Sequence, residues 1–201
     1  VQTCALPIYK ILKWLPSDTE ENYNFENNLY GKDDITYNLN EFGFRCDSFE
    51  KKEKIKIVFL GCSITEGIGV KLEEIWAYQL LEKIKKYMNC EINYWNLAVG
   101  GIGLDCITRL YYNFHEILQP DFVFGYFPTS IRKEIPFNDT LLASFMPATV
   151  HKTDIFLNNP IFLDENFLNY ENVKNFCFLN LLMNKYNTKL DRKSTRLNSS
   201  H

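Results

Sequence analysis

The stretch Lys54 to Gly69, KIKIVFLGCSITEGIG, decides the fold. Residues 55–60 form a β-branched and aromatic run of the length of a strand. The run stops at Gly61, and small and polar residues follow it. A buried strand that ends in a tight, glycine-bounded turn is how α/β folds expose a side chain at the carboxyl end of a sheet. Ser63 lies at the tip of this turn and is the candidate nucleophile.

The segments that follow alternate between helical and strand patterns. We predict a helix over 73–88, a strand over 92–97, a helix whose apolar face runs from Ile107 to Leu118, and a strand over 122–127. Short connections between strands and helices in this order are typical of a parallel sheet covered by helices. The carboxyl ends of the three strands are then expected at one edge of the sheet.

The pattern is less regular beyond Arg132. A short strand over 155–157 and a long helix over 171–190 are expected there. The helix is apolar on more than one side, which is expected of a helix packed between two other elements.

Composition limits the class of protein. A chain of 201 residues, 46% of them hydrophobic, is long enough for one α/β domain with a substantial core. A net charge of -3 gives no reason to expect nucleic acid as a partner, and no apolar run is long enough to span a bilayer. The six cysteines are scattered without a CxxC pair, so we expect a reduced, cytoplasmic protein with no structural zinc.

Both ends of the chain differ in composition from the rest. RKSTRLNSSH, residues 192–201, resembles translated sequencing-adaptor read-through, and the first residues resemble its counterpart. We therefore expect non-native tails at 1–8 and 192–201 and an incomplete α/β domain over 55–191. Residues 9–54 carry too many aromatic side chains for a free linker, so an arm packed on the domain is expected.

Two motifs resemble the conserved blocks of the SGNH (GDSL-like) hydrolases. Residues 61–67, GCSITEG, are similar to the first block, G-D-S-x-T-x-G, with cysteine in place of aspartate. Residues 96–101, NLAVGG, are similar to the second block, in which a glycine follows an asparagine at the spacing N-x-x-x-x-G. The resemblance covers about residues 37–132 and includes the GFR sequence that ends at Arg45.

This resemblance implies a flavodoxin-like, three-layer α/β/α fold and the hydrolysis of esters without a metal or other cofactor. The substrate class that it implies is a small-molecule, glycan or lipid ester. Ser63 would attack the acyl carbonyl and form an acyl-enzyme that water later releases. The backbone N–H groups of Ser63 and Gly101 would bind the developing oxyanion.

The third block of the family, G-x-N-D, supplies an asparagine side chain as a further oxyanion donor. The corresponding residues here, 127–132, read FPTSIR and contain no asparagine. Thr129 or Ser130 could donate instead, or Arg132 could bind an anionic substrate. We expect these three residues to contact the substrate.

The fourth element of the family pattern, D-x-x-H, is not found. His151 and Asp154 have its spacing in reversed order, His115 is expected to face solvent on a helix, and His201 lies in the suspect tail. The catalytic Asp and His therefore stay unassigned. We expect the segment that carries them to be missing from this chain, so that the natural protein is an enzyme while this chain alone is inactive.

Several alternatives stay open on the sequence. The turn at 61–67 could bind a phosphate, although neither G-x-x-x-x-G-K-[ST] nor G-x-G-x-x-G is present. Cys62 could be the nucleophile or a buried structural thiol. Glu66 could act as an acid or be a solvated turn residue. Arg45 could pair with a carboxylate, but we expect it to be exposed. The whole domain could be a non-catalytic carbohydrate- or acyl-binding module.

Overall fold

The computed structural model describes residues 10–12, 34–50, 53–128, 132–138, 141–145 and 164–194. The elements in chain order are β1 (Lys10–Leu12), β2 (Tyr37–Leu39), β3 (Ile55–Gly61), α1 (Ser63–Glu66), a 3-10 turn (Leu72–Glu74), α2 (Trp76–Met88), β4 (Ile92–Asn96), α3 (Leu104–Leu118), β5 (Phe122–Phe127), β6 (Lys133–Asn138), β7 (Leu141–Phe145), α4 (Glu165–Lys185) and β8 (Lys189–Ser194).

The central sheet is parallel, with the strand order β4-β3-β5-β8. Numbered by their order along the chain, these strands follow the flavodoxin-like order 2-1-3-4, in which the chain leaves β3 to one side and returns to the other. Ligands of such sheets bind at the carboxyl ends of the strands where this reversal occurs. In this protein that point lies between the ends of β3 and β5.

Helices cover both faces of the sheet. Ile57 and Phe59 of β3 point to the face covered by α2 and pack with Leu81, whereas Val58 and Leu60 point to the face covered by α3 and α4. Each apolar side chain buried in this way contributes about 1.5–3 kcal/mol. The predicted three-layer α/β/α arrangement with a parallel sheet is confirmed.

The C-terminal helix differs from the prediction at both ends. It begins earlier, because the Asp164 side chain accepts a hydrogen bond from the backbone N–H of Phe167 and caps it. It ends at Lys185, and a turn through Asn187, which has a left-handed φ of 54°, leads into β8. β8 pairs with β5 in parallel and includes residues 192–194, which composition assigns to a foreign tail. The predicted strand over 155–157 lies outside the described residues.

The described part of the N-terminal arm, residues 34–50, packs against the α3 side of the sheet. The rings of Phe44 and Phe49 lie 5.4 and 5.3 Å from that of Phe114 in edge-to-face geometry. The Trp95 indole N–H donates to the Ser48 carbonyl at 3.1 Å. In the part of the chain that the structure describes, no helix has both the length and the apolar character needed to cross a membrane.

Candidate active site

Ser63 is placed where the sheet topology favours a ligand. β3 ends at Gly61, and Ser63 is the first residue of α1, at the carboxyl edge of the sheet. Its side chain is half-buried. The N–H groups in the first turn of a helix have no acceptor within that helix, so the Ser63 N–H can bind a ligand oxygen.

Close packing under the turn explains why residue 61 is glycine. A Cβ there would lie 2.0 Å from the Thr65 hydroxyl oxygen and 2.9 Å from the Tyr126 carbonyl oxygen. Both contacts are too short for any side chain, and the second involves backbone of the neighbouring strand β5. Thr65 is itself fixed, since its hydroxyl accepts a hydrogen bond from the Trp76 indole at 3.2 Å.

Asn96 connects the Ser63 helix to the second glycine turn. Its buried side-chain amide donates to the Thr65 carbonyl at 2.6 Å, and its side-chain oxygen accepts from the Ala98 N–H at 3.1 Å. The first bond holds α1 and the second holds the chain that leads to Gly101. Gly101 has a φ of 82°, which favours glycine, and the space where a Cβ would stand is open.

Glu66 is buried, with 7% of its surface exposed, so the alternative of a solvated turn residue is wrong. Burial raises the pKa of its carboxyl to about 7, while the Gly100 N–H and the Arg45 guanidinium oppose that rise. Its Oε2 atom is buried with no hydrogen-bond partner among the described residues. A carboxyl in this state can hold or release a proton near neutral pH.

Arg45 is also buried, with 3% of its surface exposed, and the expectation of an exposed arginine is wrong. Its guanidinium donates to four backbone carbonyls, including those of Glu66 and Gly67 at the end of α1. A single arginine in an aromatic segment gives no sign of this in the sequence, because its acceptors are distant in the chain.

The loop after β5 is described only in part. Thr129 and Ser130 lie outside the described residues, so their predicted contact with the substrate stays a prediction. Arg132 is half-buried, and its Nη1 atom is buried with no hydrogen-bond partner among the described residues. The Arg132 carbonyl lies against Gly103, where a Cβ would be 2.3 Å from it. This contact brings the loop beside the second glycine turn.

No general base is assigned. Among the histidines, only His115 is in the described part of the chain, and it is 4% exposed, so the expectation that it faces solvent is wrong. It packs on Tyr186, and its Nδ1 donates to the Tyr112 carbonyl at 2.7 Å. His115 is near the C-terminus of α3, about 18 Å along the helix axis from Gly103. His151, Asp154 and His201 lie outside the described residues.

Cys62 is buried within the core on the α3 side and has a free thiol, as expected of a structural cysteine. The described residues contain no cluster of His, Cys, Asp and Glu that could hold a metal. Two polar clefts of about 330 Å³ border the arm, one next to the 3-10 turn and Tyr94 and the other next to β4. Neither of them is lined by Ser63 or Gly101.

Comparison with known proteins gives structural matches only. No protein-family model matches the sequence, and neither does any curated protein sequence. The chain is similar to the psychrotrophic esterase EstA from Pseudoalteromonas sp., at 16% identity and a TM-score of 0.41 over 68% of this chain and 57% of the other. It is similar to TesA, at 11% identity and a TM-score of 0.42 over 68% and 58%.

A third match is the lipase Lip_vut3 from a goat rumen metagenome, at 14% identity and a TM-score of 0.45 over 70% of this chain and 63% of the other. The chain therefore spans less than two thirds of the length of each of these three structures.

Proposed function

We propose that this chain is part of an SGNH-type serine esterase in which Ser63 is the nucleophile. The observation that carries the proposal is the position of Ser63. It begins a helix at the carboxyl end of β3, beside the point where the strand order reverses, and Asn96 links that helix to the Gly101 turn. A serine hydroxyl and backbone N–H donors for the oxyanion are two of the parts that acyl transfer needs, and a general base is the third.

In the proposed reaction, Ser63 Oγ bonds to the acyl carbon of an ester while its proton passes to a general base. The carbonyl oxygen becomes an oxyanion, which the Ser63 and Gly101 N–H groups bind. Collapse of this intermediate expels the alcohol and leaves an acyl-serine, which water then hydrolyses. The base and the acid that orients it are not among the described residues.

The proposed substrates are small-molecule, glycan or lipid esters. Arg132, which has one buried guanidinium nitrogen without a hydrogen-bond partner among the described residues, is the residue we propose for an anionic part of the substrate. We also propose a reducing, cytoplasmic location, which the free thiols of the described cysteines support.

The proposal is tested on the full-length protein, which would contain the expected Asp/His segment, with a fluorophosphonate ester probe that phosphonylates activated serines. We expect the wild-type protein to be labelled at Ser63 and Ser63→Ala to lose the label. Ser48→Ala is the matched control, since Ser48 is a half-buried serine of the arm that donates to Glu41. Cys62→Ala, which removes the alternative nucleophile, should keep the label. A full-length wild-type protein that is not labelled, or a Ser63→Ala variant that still is, would contradict the proposal.

A second candidate is a non-catalytic carbohydrate- or acyl-binding module with the same fold. It is favoured by the sequence of the 127–132 loop, which lacks the asparagine donor. Such a module would bind an ester without turning it over and would not react with the probe. Ester binding by a folded full-length protein that resists labelling and has no D-x-x-H sequence is the result that would select it.

A further inference from the structure

The guanidinium of Arg45 donates hydrogen bonds to the segment that follows Ser63, at residues 66–67 and at Val70. Its Nη1 donates to the Gly67 carbonyl at 2.5 Å and, more weakly, to the Glu66 carbonyl at 3.4 Å. Its Nη2 donates to the carbonyls of Val70 and Thr36, each at 3.1 Å. Three of the four acceptors therefore belong to residues 66–70, which comprise the end of α1 and the chain that follows it.

A buried guanidinium is costly unless its N–H groups are all satisfied. The Nη1 and Nη2 groups of Arg45 meet this condition with backbone carbonyls. Arg45 also stacks on the ring of Tyr37, with the guanidinium carbon 4.4 Å from the ring centroid. The Tyr37 hydroxyl in turn accepts a hydrogen bond from the Gly69 N–H at 2.8 Å. The arm thus contacts the turn through two side chains with fixed geometry.

The helix α1 needs such support, because a single turn of helix is not stable by itself. Its last carbonyls have no partners within the helix, and they carry the negative end of its dipole. The Arg45 cation donates to the carbonyl of Glu66, the last residue of α1, and to that of the C-cap residue Gly67, and so complements that end. Ser63 is at the opposite end of the same turn, so the orientation of the turn sets the direction of the Ser63 N–H and hydroxyl.

We propose that Arg45 is a positioning residue for Ser63: the guanidinium of the arm fixes the turn that presents the nucleophile. Its role in turnover rests on the proposed esterase function, whereas its hold on the turn does not. The arm is then a part of the active-site framework and does more than cover the sheet.

The residue type has a geometric reason. A planar guanidinium can reach carbonyls on two sides at once, whereas a lysine ammonium is a compact charge on a flexible stem. Gly67 is the complementary feature, since a Cβ there would lie 3.1 Å from Arg45 Nη1 and 2.3 Å from Ile75. Replacing Arg45 by lysine should keep the positive charge and lose the hydrogen bonds that join the arm to the turn, which we call the clamp.

The test compares Arg45→Lys with Arg109→Lys in the full-length protein. Arg109 is the matched control, because it also makes a forked contact, with the Glu134 carboxylate, at the start of β6. The readouts are thermal unfolding, the rate of fluorophosphonate labelling, and hydrogen exchange of the backbone amides of residues 63–68 by NMR.

We expect Arg45→Lys to be labelled about 10²-fold more slowly, since a displacement of about 1 Å at a reacting group has an effect of this size. The loss should lie in the maximal labelling rate and not in probe affinity. The amides of residues 63–68 should exchange faster. Arg109→Lys should match the wild type in the labelling rate and in the amide exchange of residues 63–68. Added methylguanidinium should restore part of the rate to Arg45→Ala.

Unchanged labelling and unchanged amide exchange in a folded Arg45→Lys variant would overturn the proposal. If the wild type is not labelled at all, the esterase proposal fails, and amide exchange still decides whether Arg45 holds the turn. If Arg45→Lys does not fold, the wild-type protein supplies the answer. The Arg45 Nη protons should exchange slowly with solvent, and exchange at the rate of a free arginine would overturn the clamp.

Discussion

Two buried cations near the candidate site are satisfied in opposite ways. Arg45, in the arm, donates to four carbonyls and stacks on Tyr37. Lys133, at the start of β6, is 6% exposed, and its Nζ has no hydrogen-bond partner among the described residues. A buried cation with complete bonding holds its surroundings in place, whereas one without bonding destabilises the fold.

The difference matters because each cation lies on a different side of the proposed site. The Arg45 side contains the Ser63 helix, Asn96 and the second glycine turn, which are joined by direct hydrogen bonds. The Lys133 side follows the loop that contains Arg132, whose Nη1 is also buried and unpartnered within the described residues. We expect the Arg45 side to be rigid. The Lys133 side carries positive charge with which an anionic group of the substrate could pair.

The largest expected effect is that of a substitution at Gly61, under the turn on the Arg45 side of the site. Gly61→Ala would place a Cβ 2.9 Å from the Tyr126 carbonyl, a backbone atom of the sheet that cannot move aside. We expect the free energy of unfolding to fall by about 4 kcal/mol, at the upper end for overpacking. Urea denaturation measures it. Gly69→Ala is the control, since nothing lies within 4 Å of a Cβ there and only its φ of 77° is unfavourable. Equal losses in the two variants would contradict the packing explanation.

The second effect concerns the buried carboxyl of Glu66, on the same side of the site. The pKa of Glu66 is raised from 4.5 to about 7 in the folded chain, so the folded state binds more protons than the unfolded state between these values. Stability should therefore fall as the pH rises through this window and stay lower above it. Glu66→Gln, which cannot ionise, should be more stable than the wild type by roughly 3 kcal/mol at pH 8 and similar to it below pH 4.5.

Urea denaturation of both proteins across this pH range is the measurement. Glu53→Gln, at an exposed position, should show no such divergence. A wild-type to Glu66→Gln difference that does not change with pH would contradict a buried, titrating carboxyl.

Much of the fold was predictable, and the reasons for the rest are physical. The strands β3 to β5 and the helices between them follow from apolar periodicity, because each has one face or both faces in the core. The burial of Arg45 and Glu66 was not predictable, since both depend on partners far along the chain. His115 has the sequence surroundings of an exposed residue, but Tyr186, from the segment after α4, covers it. The predicted helix over 171–190 stops early because Asn187 turns the chain.

The candidate site was predicted in part. The roles of Ser63 and Gly101 stay predictions, as do those of Thr129, Ser130 and Arg132. The Asn96 bridge belongs to the second motif, but a sequence does not say which backbone groups an amide will bind. Its two hydrogen bonds appear only when α1 and the segment after β4 are brought together.

The third effect removes the unsatisfied cation. Burial lowers the pKa of Lys133, so its charged form is disfavoured in the folded state. We expect Lys133→Met to raise the free energy of unfolding by about 1–2 kcal/mol at pH 7, because it removes a buried charge and keeps the apolar stem. Lys174→Met, at an exposed lysine paired with Glu171, should change it by less than about 0.5 kcal/mol. A less stable Lys133→Met variant would mean that the charge is satisfied.

The smallest effect on stability separates a glycine of the site from one outside it. Gly101 and Gly43 have φ angles of 82° and 84°, and nothing lies within 4 Å of a Cβ at either position. Alanine at either should cost about 1 kcal/mol of stability, from the left-handed conformation alone. Only Gly101→Ala should also slow fluorophosphonate labelling, by about 10-fold or more, because the methyl group enters the space next to the oxyanion. Equal labelling rates would remove Gly101 from the site.

The central claim is that the Ser63 hydroxyl and the Gly101 amide act on the same acyl group. A crystal structure of the full-length protein after reaction with a small fluorophosphonate tests it directly. We expect the phosphonyl group on Ser63 Oγ, with its free oxygen about 2.7–3.1 Å from the backbone nitrogens of both Ser63 and Gly101. An adduct whose oxygen points away from Gly101, or an adduct on a different residue, would contradict the account.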